Sequence, residues 1–130
     1  MALHPNIGSI EQFAFLNCPS LEHIILPANL TTLDAGAFCN CRSLESIVIP
    51  KGVTRVGSIT FDDCVSLTLV TLPESLHYIE HEAFKFCENL SIIIFEGTKA
   101  QWKAIAKENS WKKGTPIKLV SCSDGDVKLA

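Results

Sequence analysis

Residues 37 to 50 read Ala37-Phe38-Cys39-Asn40-Cys41-Arg42-Ser43-Leu44-Glu45-Ser46-Ile47-Val48-Ile49-Pro50. A turn-rich approach with one large aromatic leads into Leu44-x-x-Ile47-x-Ile49, a short β-branched run that a proline stops. Such a run is a strand by composition, and proline, which lacks an N–H, cannot extend a ladder. The stretch recurs along the chain. Steps of 23 residues from Cys41 reach Cys18, Cys64 and Cys87. The same step relates Phe15, Phe38, Phe61 and Phe84, then Leu21, Leu44, Leu67 and Leu90, then Ile24, Ile47, Val70 and Ile93. Pro27, Pro50 and Pro73 keep step until Glu96, and Ala14, Ala37 and Ala83 match around the exception Thr60.

Internal repeats of about 20 to 30 residues signal a solenoid, in which one coil cannot bury its own apolar side and stacking makes a continuous core. The expected coils are 7–29, 30–52, 53–75 and 76–97. Each holds one strand (Leu21 to Leu26, Leu44 to Ile49, Leu67 to Leu72, Leu90 to Phe95), with strands pairing in parallel, and a tight, partly helical return arc. After Gly97 the period breaks, and residues 98–130 read as a cap within the same domain. Thr98-Lys99-Ala100-Gln101 has the form of a capping box. Trp102, Ile105 and Ala106 follow at helical spacing, Ile117 to Val120 reads as a strand, and Asp124-Gly125 is a hairpin signal ahead of Val127 and Leu129. The N-terminal end shows no such cap. The strand Leu21 to Leu26 is therefore expected to leave an open edge, through which the chain forms a homo-oligomer.

The columns in 7–97 resemble the BspA-like leucine-rich repeats, with their L-x-x-I-x-L-P strand and A-F-x-x-C return. The resemblance implies a leucine-rich-repeat solenoid of the α/β type, with its parallel sheet on the concave face. It also implies adhesion or protein binding, in a secreted or cell-surface protein of a bacterium. The chain departs from the commoner leucine-rich consensus, which places Asn or Cys three residues past the strand. Those places hold Asn29, Gly52 and Ser75, so the cysteine column is expected to replace the asparagine ladder from the other side of the strand.

Composition narrows the function. The chain has 130 residues, 47% hydrophobic and 19% charged, with a net charge of −3. That describes one packed domain without the basic footprint that nucleic acid requires. Met1 to Gly8 holds no signal peptide, which leaves a cytoplasmic chain or an excised fragment as alternatives to a surface location. No apolar run approaches the roughly 18 residues of a membrane span, so no membrane insertion is expected.

Candidate chemistry is thin. The six cysteines are expected to be free, with Cys18, Cys41, Cys64 and Cys87 buried as small hydrophobes and Cys39 and Cys122 apart from that column. His77 and His81 lack further ligands, and Asp124-Gly125-Asp126 lacks the rest of a calcium loop. No catalytic residues, cofactor or metal are expected, and the chain does not read as an enzyme. What remains is the outward side of the strands. Its columns are Glu22, Glu45, Thr68 and Ser91; His23, Ser46, Leu69 and Ile92; and Ile25, Val48, Thr71 and Ile94. Strand propensity alone accounts for β-branched residues there. An apolar cluster at Leu69, Ile92 and Ile94 also suits a face that binds a protein or peptide. The competing expectation is a structural C-terminal end of a longer array, with no ligand of its own.

Overall fold

The 23-residue period makes one turn of a solenoid, and from the second turn onward each carries two short strands on different faces. The structure is a computed structural model that describes residues 1–129. One face is a five-stranded sheet. It is built from β3 (Ser46–Val48), β5 (Leu69–Leu72), β7 (Ile92–Phe95), β9 (Leu119–Cys122) and β10 (Gly125–Lys128). The first four pair in parallel, with Ile47 beside Val70, Val70 beside Ile93 and Ile93 beside Val120, while β10 returns antiparallel on β9. A second face is formed by β4 (Arg55–Val56), β6 (Tyr78–Ile79) and β8 (Ala106–Lys107), preceded by the pair β1 (Ser9–Ile10) and β2 (Thr32–Leu33). Sequence patterning shows one strand per coil because these second strands are only two residues long. A two-residue element has no visible alternation.

The arc is not helical. Residues in the left-handed region recur with the period: Phe13, Gly36, Ile59 and Glu82, then Asn17, Asn40, Asp63 and Phe86. Two such reversals per coil break any right-handed helix and give tight turns instead. They also aim the backbone sideways. The N–H groups of Phe13, Phe15 and Asn17 donate to the carbonyls of Ala35, Ala37 and Cys39 (3.1, 2.8 and 3.0 Å), and the pattern repeats one coil on. Gly57 is required here for a different reason, since a Cβ would lie 2.9 Å from the Ala35 backbone nitrogen.

Inside the ring of backbone, Phe15, Phe38, Phe61 and Phe84 stack with centroids 5.2, 5.7 and 5.3 Å apart and planes within 6°. The cysteines run alongside. Cys41, Cys64 and Cys87 each donate the thiol to the carbonyl of the Phe in the preceding coil, Phe15, Phe38 and Phe61, at 3.0 to 3.1 Å. That is the ladder expected in place of asparagine. Thr60 is tolerated in the alanine column because its hydroxyl donates to Gly57 O at 2.7 Å, which satisfies a group otherwise costly to bury.

Both ends differ from expectation. Leu21 to Leu26 forms no extended strand; it makes a single bridge, Ala2 to Ile25. The Ile25 N–H donates to Met1 O (2.7 Å) and the Leu3 N–H to Ile25 O (3.4 Å). The edge expected to be bare is therefore partly covered by the first three residues. At the other end, α1 (Lys99–Ala104) forms with its capping box complete. It stops before Ile105, because Ala106 leaves the helix to pair in β8 beside Tyr78. Ala106 is thus an exposed strand residue, not part of the helix's apolar face. The strand read at Ile117 to Val120 lies two residues later, at Leu119–Cys122. Residues 98–122 complete a fifth turn, in which Trp111 meets Phe84 edge-on at 6.1 Å and 79°.

Phe38 has neighbours in the stack above and below and is fully buried. Phe38→Ala is expected to lower stability by about 3–5 kcal/mol through the cavity it leaves. Chemical denaturation measures this, and a loss below about 1 kcal/mol would remove the Phe stack from the core.

Candidate functional site

In the five-stranded sheet, alternation sends Ile47, Val70, Ile93 and Val120 into the core and their neighbours outward. Pairing register sets the outward rows. One row runs Ser46, Leu69, Ile92 and Leu119, and reaches Lys128 on the hairpin. The next runs Val48, Thr71, Ile94 and Ser121, and reaches Asp126. Ile25 and His23 extend these rows at the N-terminal end by the same 23-residue step. Ile25 is 67% exposed and Val48 61%, while Leu69, Ile92 and Ile94 lie near two-fifths. Ser46 and Thr71 are half-buried. The first column, Glu22, Glu45, Thr68 and Ser91, sits just ahead of the strands and is exposed throughout. Its backbone is laterally bonded, Glu45 N–H to Glu22 O at 3.1 Å and Thr68 N–H to Glu45 O at 2.9 Å.

All twelve residues singled out in sequence thus lie on one side of the molecule. Leu119, Ser121, Asp126 and Lys128 belong to the same face and escaped the reading, because the spacing from Ile92 to Leu119 is 27 residues and the repeat columns no longer point to them. The result is a stripe of Ile, Val and Leu with acidic and imidazole groups at one margin and a Lys–Asp pair of rows at the other.

Three comparisons bear on this arrangement. The BspA type leucine rich repeat region matches residues 2–112 in six copies. The chain belongs to that family. Among solved structures, a leucine rich cell surface protein from Faecalibacterium prausnitzii A2-165 superposes with a TM-score of 0.66 at 26% identity. The alignment covers 84% of this chain and 35% of that one. A leucine-rich repeat protein from Eubacterium ventriosum ATCC 27560 shares the fold, with a TM-score of 0.50 at 21% identity, over 97% of this chain and 46% of that one. The chain therefore spans less than half the length of either. No curated protein matches it.

Other polar groups of this BspA-type array are engaged locally. On the second sheet face Tyr78 donates its hydroxyl to Glu108, which also faces His81 Nδ1 at 3.6 Å, while Arg55 lies over the Tyr78 ring at 5.4 Å and pairs with Glu80. His77 is exposed and is not joined to His81 in any metal-ligating group among the described residues. Asp124 accepts from the Lys99 N–H at 2.8 Å and so ties the hairpin to the start of α1.

The cysteines are free, as the parallel columns suggest. Burial pushes the Cys41 thiol up to about 12. Cys64 is pushed up by the adjacent Cys87 thiol and by burial. Burial also raises Cys39, with Asp62 adding to it, and Cys122, with Asp124 and Asp126 adding to it. Cys18 departs from the expected column: it is half-buried, since no earlier coil covers it. A thiolate is the reactive form, so these shifts suppress modification. With an aromatic disulfide reagent near pH 8, Cys18, Cys39 and Cys122 are expected to react first. Cys41, Cys64 and Cys87 are expected to react only on unfolding. Mass spectrometry of the native protein checks this, and early modification of Cys64 would contradict the buried ladder.

Proposed function

We propose that this BspA-type array is a non-enzymatic interaction module, adhesive in its natural setting, whose five-stranded sheet face takes a protein or peptide. The apolar stripe supports this reading. A sheet with one solvated side ordinarily alternates apolar-in with polar-out. Here Ile25, Val48, Leu69, Ile92 and Ile94 all point out and remain accessible. Strand propensity favours Ile and Val, yet it gives no reason for Leu69. Charged and polar groups at both margins supply the rim that surrounds an apolar centre in protein interfaces. A surface location fits the naming of the Faecalibacterium protein as a cell surface protein, and no helix among the described residues is long and apolar enough to cross a membrane.

Replacing Leu69 and Ile92 together by Lys puts two charges in the middle of the stripe without touching the core. The double variant is expected to keep its thermal midpoint and to lose binding to immobilised host matrix proteins, read by surface plasmon resonance. Retained binding would place the contact elsewhere.

A second reading is favoured by the short span of the chain against its longer structural neighbours, 35% and 46% of their lengths. On that reading these turns close a longer array, and the N-terminal end is a coil-to-coil surface. Met1, Phe13 and Leu16 are exposed there, and Leu3, Ile7, Phe15 and Leu21 are half-buried. Such an end self-associates when nothing covers it. Light scattering over a concentration series is expected to show mass rising above that of one chain, whereas a constant single-chain mass would mean that Met1 to Leu3 are cover enough.

A further inference from the structure

Stacking brings Glu45 beside Glu22 and His23, which adjoin in sequence. Glu22 and Glu45 occupy the same place in successive turns, joined by the Glu45 N–H to Glu22 O bond. Two like charges side by side on a ladder repel. The third and fourth turns put Thr68 and Ser91 in that column, so the acidic pair occurs only at this end. His23 Nε2 reaches Glu45 Oε2 at 3.3 Å. One ligating atom from each of Glu22, His23 and Glu45 lies within 4.8 Å of the other two. Among the described residues this is the one group of three metal-ligating side chains that converges so closely.

We propose that Glu22, His23 and Glu45 bind a divalent transition-metal ion of the zinc class. Zinc bonds to imidazole and carboxylate at about 2.0–2.2 Å, which spaces tetrahedral donors about 3.3–3.5 Å apart. The His23–Glu45 pair already has that spacing. Glu22 closes the remaining gap by rotating its side chain, which is exposed. The imidazole selects zinc over magnesium or calcium, which prefer all-oxygen ligands. Charge supports the same ion: residues 1–97 hold 11 of the chain's 14 acidic side chains and 4 of its 11 basic ones, so the coils attract cations. With the His23 and Glu45 side chains 63% and 54% exposed, three protein ligands leave a coordination position facing solvent. His23 lies two residues before Ile25, so the site adjoins the margin of the apolar stripe. The metal site stands on its own geometry and holds whether or not the stripe binds a protein.

The test is calorimetric titration of the intact, reduced protein with zinc sulfate at pH 7.4, with magnesium and calcium in parallel. One saturable zinc ion per chain is expected, weakened at least about tenfold by His23→Ala and by Glu45→Gln, and unchanged by His77→Ala. All three substitutions lie on exposed side chains, and thermal melts verify that each variant is folded. Zinc binding that survives His23→Ala would place the ion elsewhere and overturn the proposal. So would equal affinity for magnesium, or no saturable binding below millimolar zinc.

Discussion

Between consecutive arcs of the first four turns, three backbone N–H groups of one turn donate to three carbonyls of the next, at the same places each time, and two such bonds, from Phe84 and Phe86 to Trp111 and Lys113, carry the pattern into the fifth. A thiol from the later turn reaches back to the Phe carbonyl of the earlier one. Neither set allows slippage. A shift of one residue would unpair every buried backbone group in the arc, and burying such groups unpaired is costly. The parallel stacking of the Phe rings follows from this lock, because rings fixed at equal heights and equal angles on successive turns must lie parallel. So does the common direction of the outward rows on the main sheet. An insertion inside a coil is therefore tolerated only where the turn still closes on both sheets, and the fifth turn is such a case. It inserts α1 after β7, and β8 and β9 still rejoin their neighbours in register.

The repeat columns made the core legible from sequence. Cys41, Cys64 and Cys87, the leucines and Phe38, Phe61 and Phe84 all fall where the period puts them, and Thr98 and Gln101 cap α1 reciprocally. What sequence could not show depends on backbone signs and on distant pairing. A left-handed residue is ordinarily announced by Gly or Asn. Phe13, Ile59 and Phe86 adopt that conformation without either signal, because the neighbouring arcs hold them there. Ile59 is the strained case, since β-branched residues are genuine outliers in that region. The end of α1 was hidden for a similar reason: Ala106 suits a helix locally, and only pairing with β6 draws it into a strand.

On the outward face, the columns follow the outward-pointing rows as far as Ile94 and then run out of period. Leu119 and Lys128 join the face through pairing that spans the helix insertion, which no spacing rule reveals. The Glu22, His23 and Glu45 grouping was equally invisible. It needs two turns to be stacked before Glu45 joins Glu22 and His23, whereas the ligand motifs legible in sequence rely on closeness along one element.

The edge-on contact of Trp111 with Phe84 ends the parallel stack, and Trp102 packs against both Trp111 and Phe95 in the same last turn. The two tryptophans are the only ones in the chain. Intrinsic fluorescence therefore watches one end of a molecule whose coils contact mainly their nearest neighbours. In such arrays terminal units can open separately from the rest. Fraying of the first turn, around the half-buried Phe15 and Cys18, is optically dark, and an emission-monitored melt reports the stability of the C-terminal turns alone.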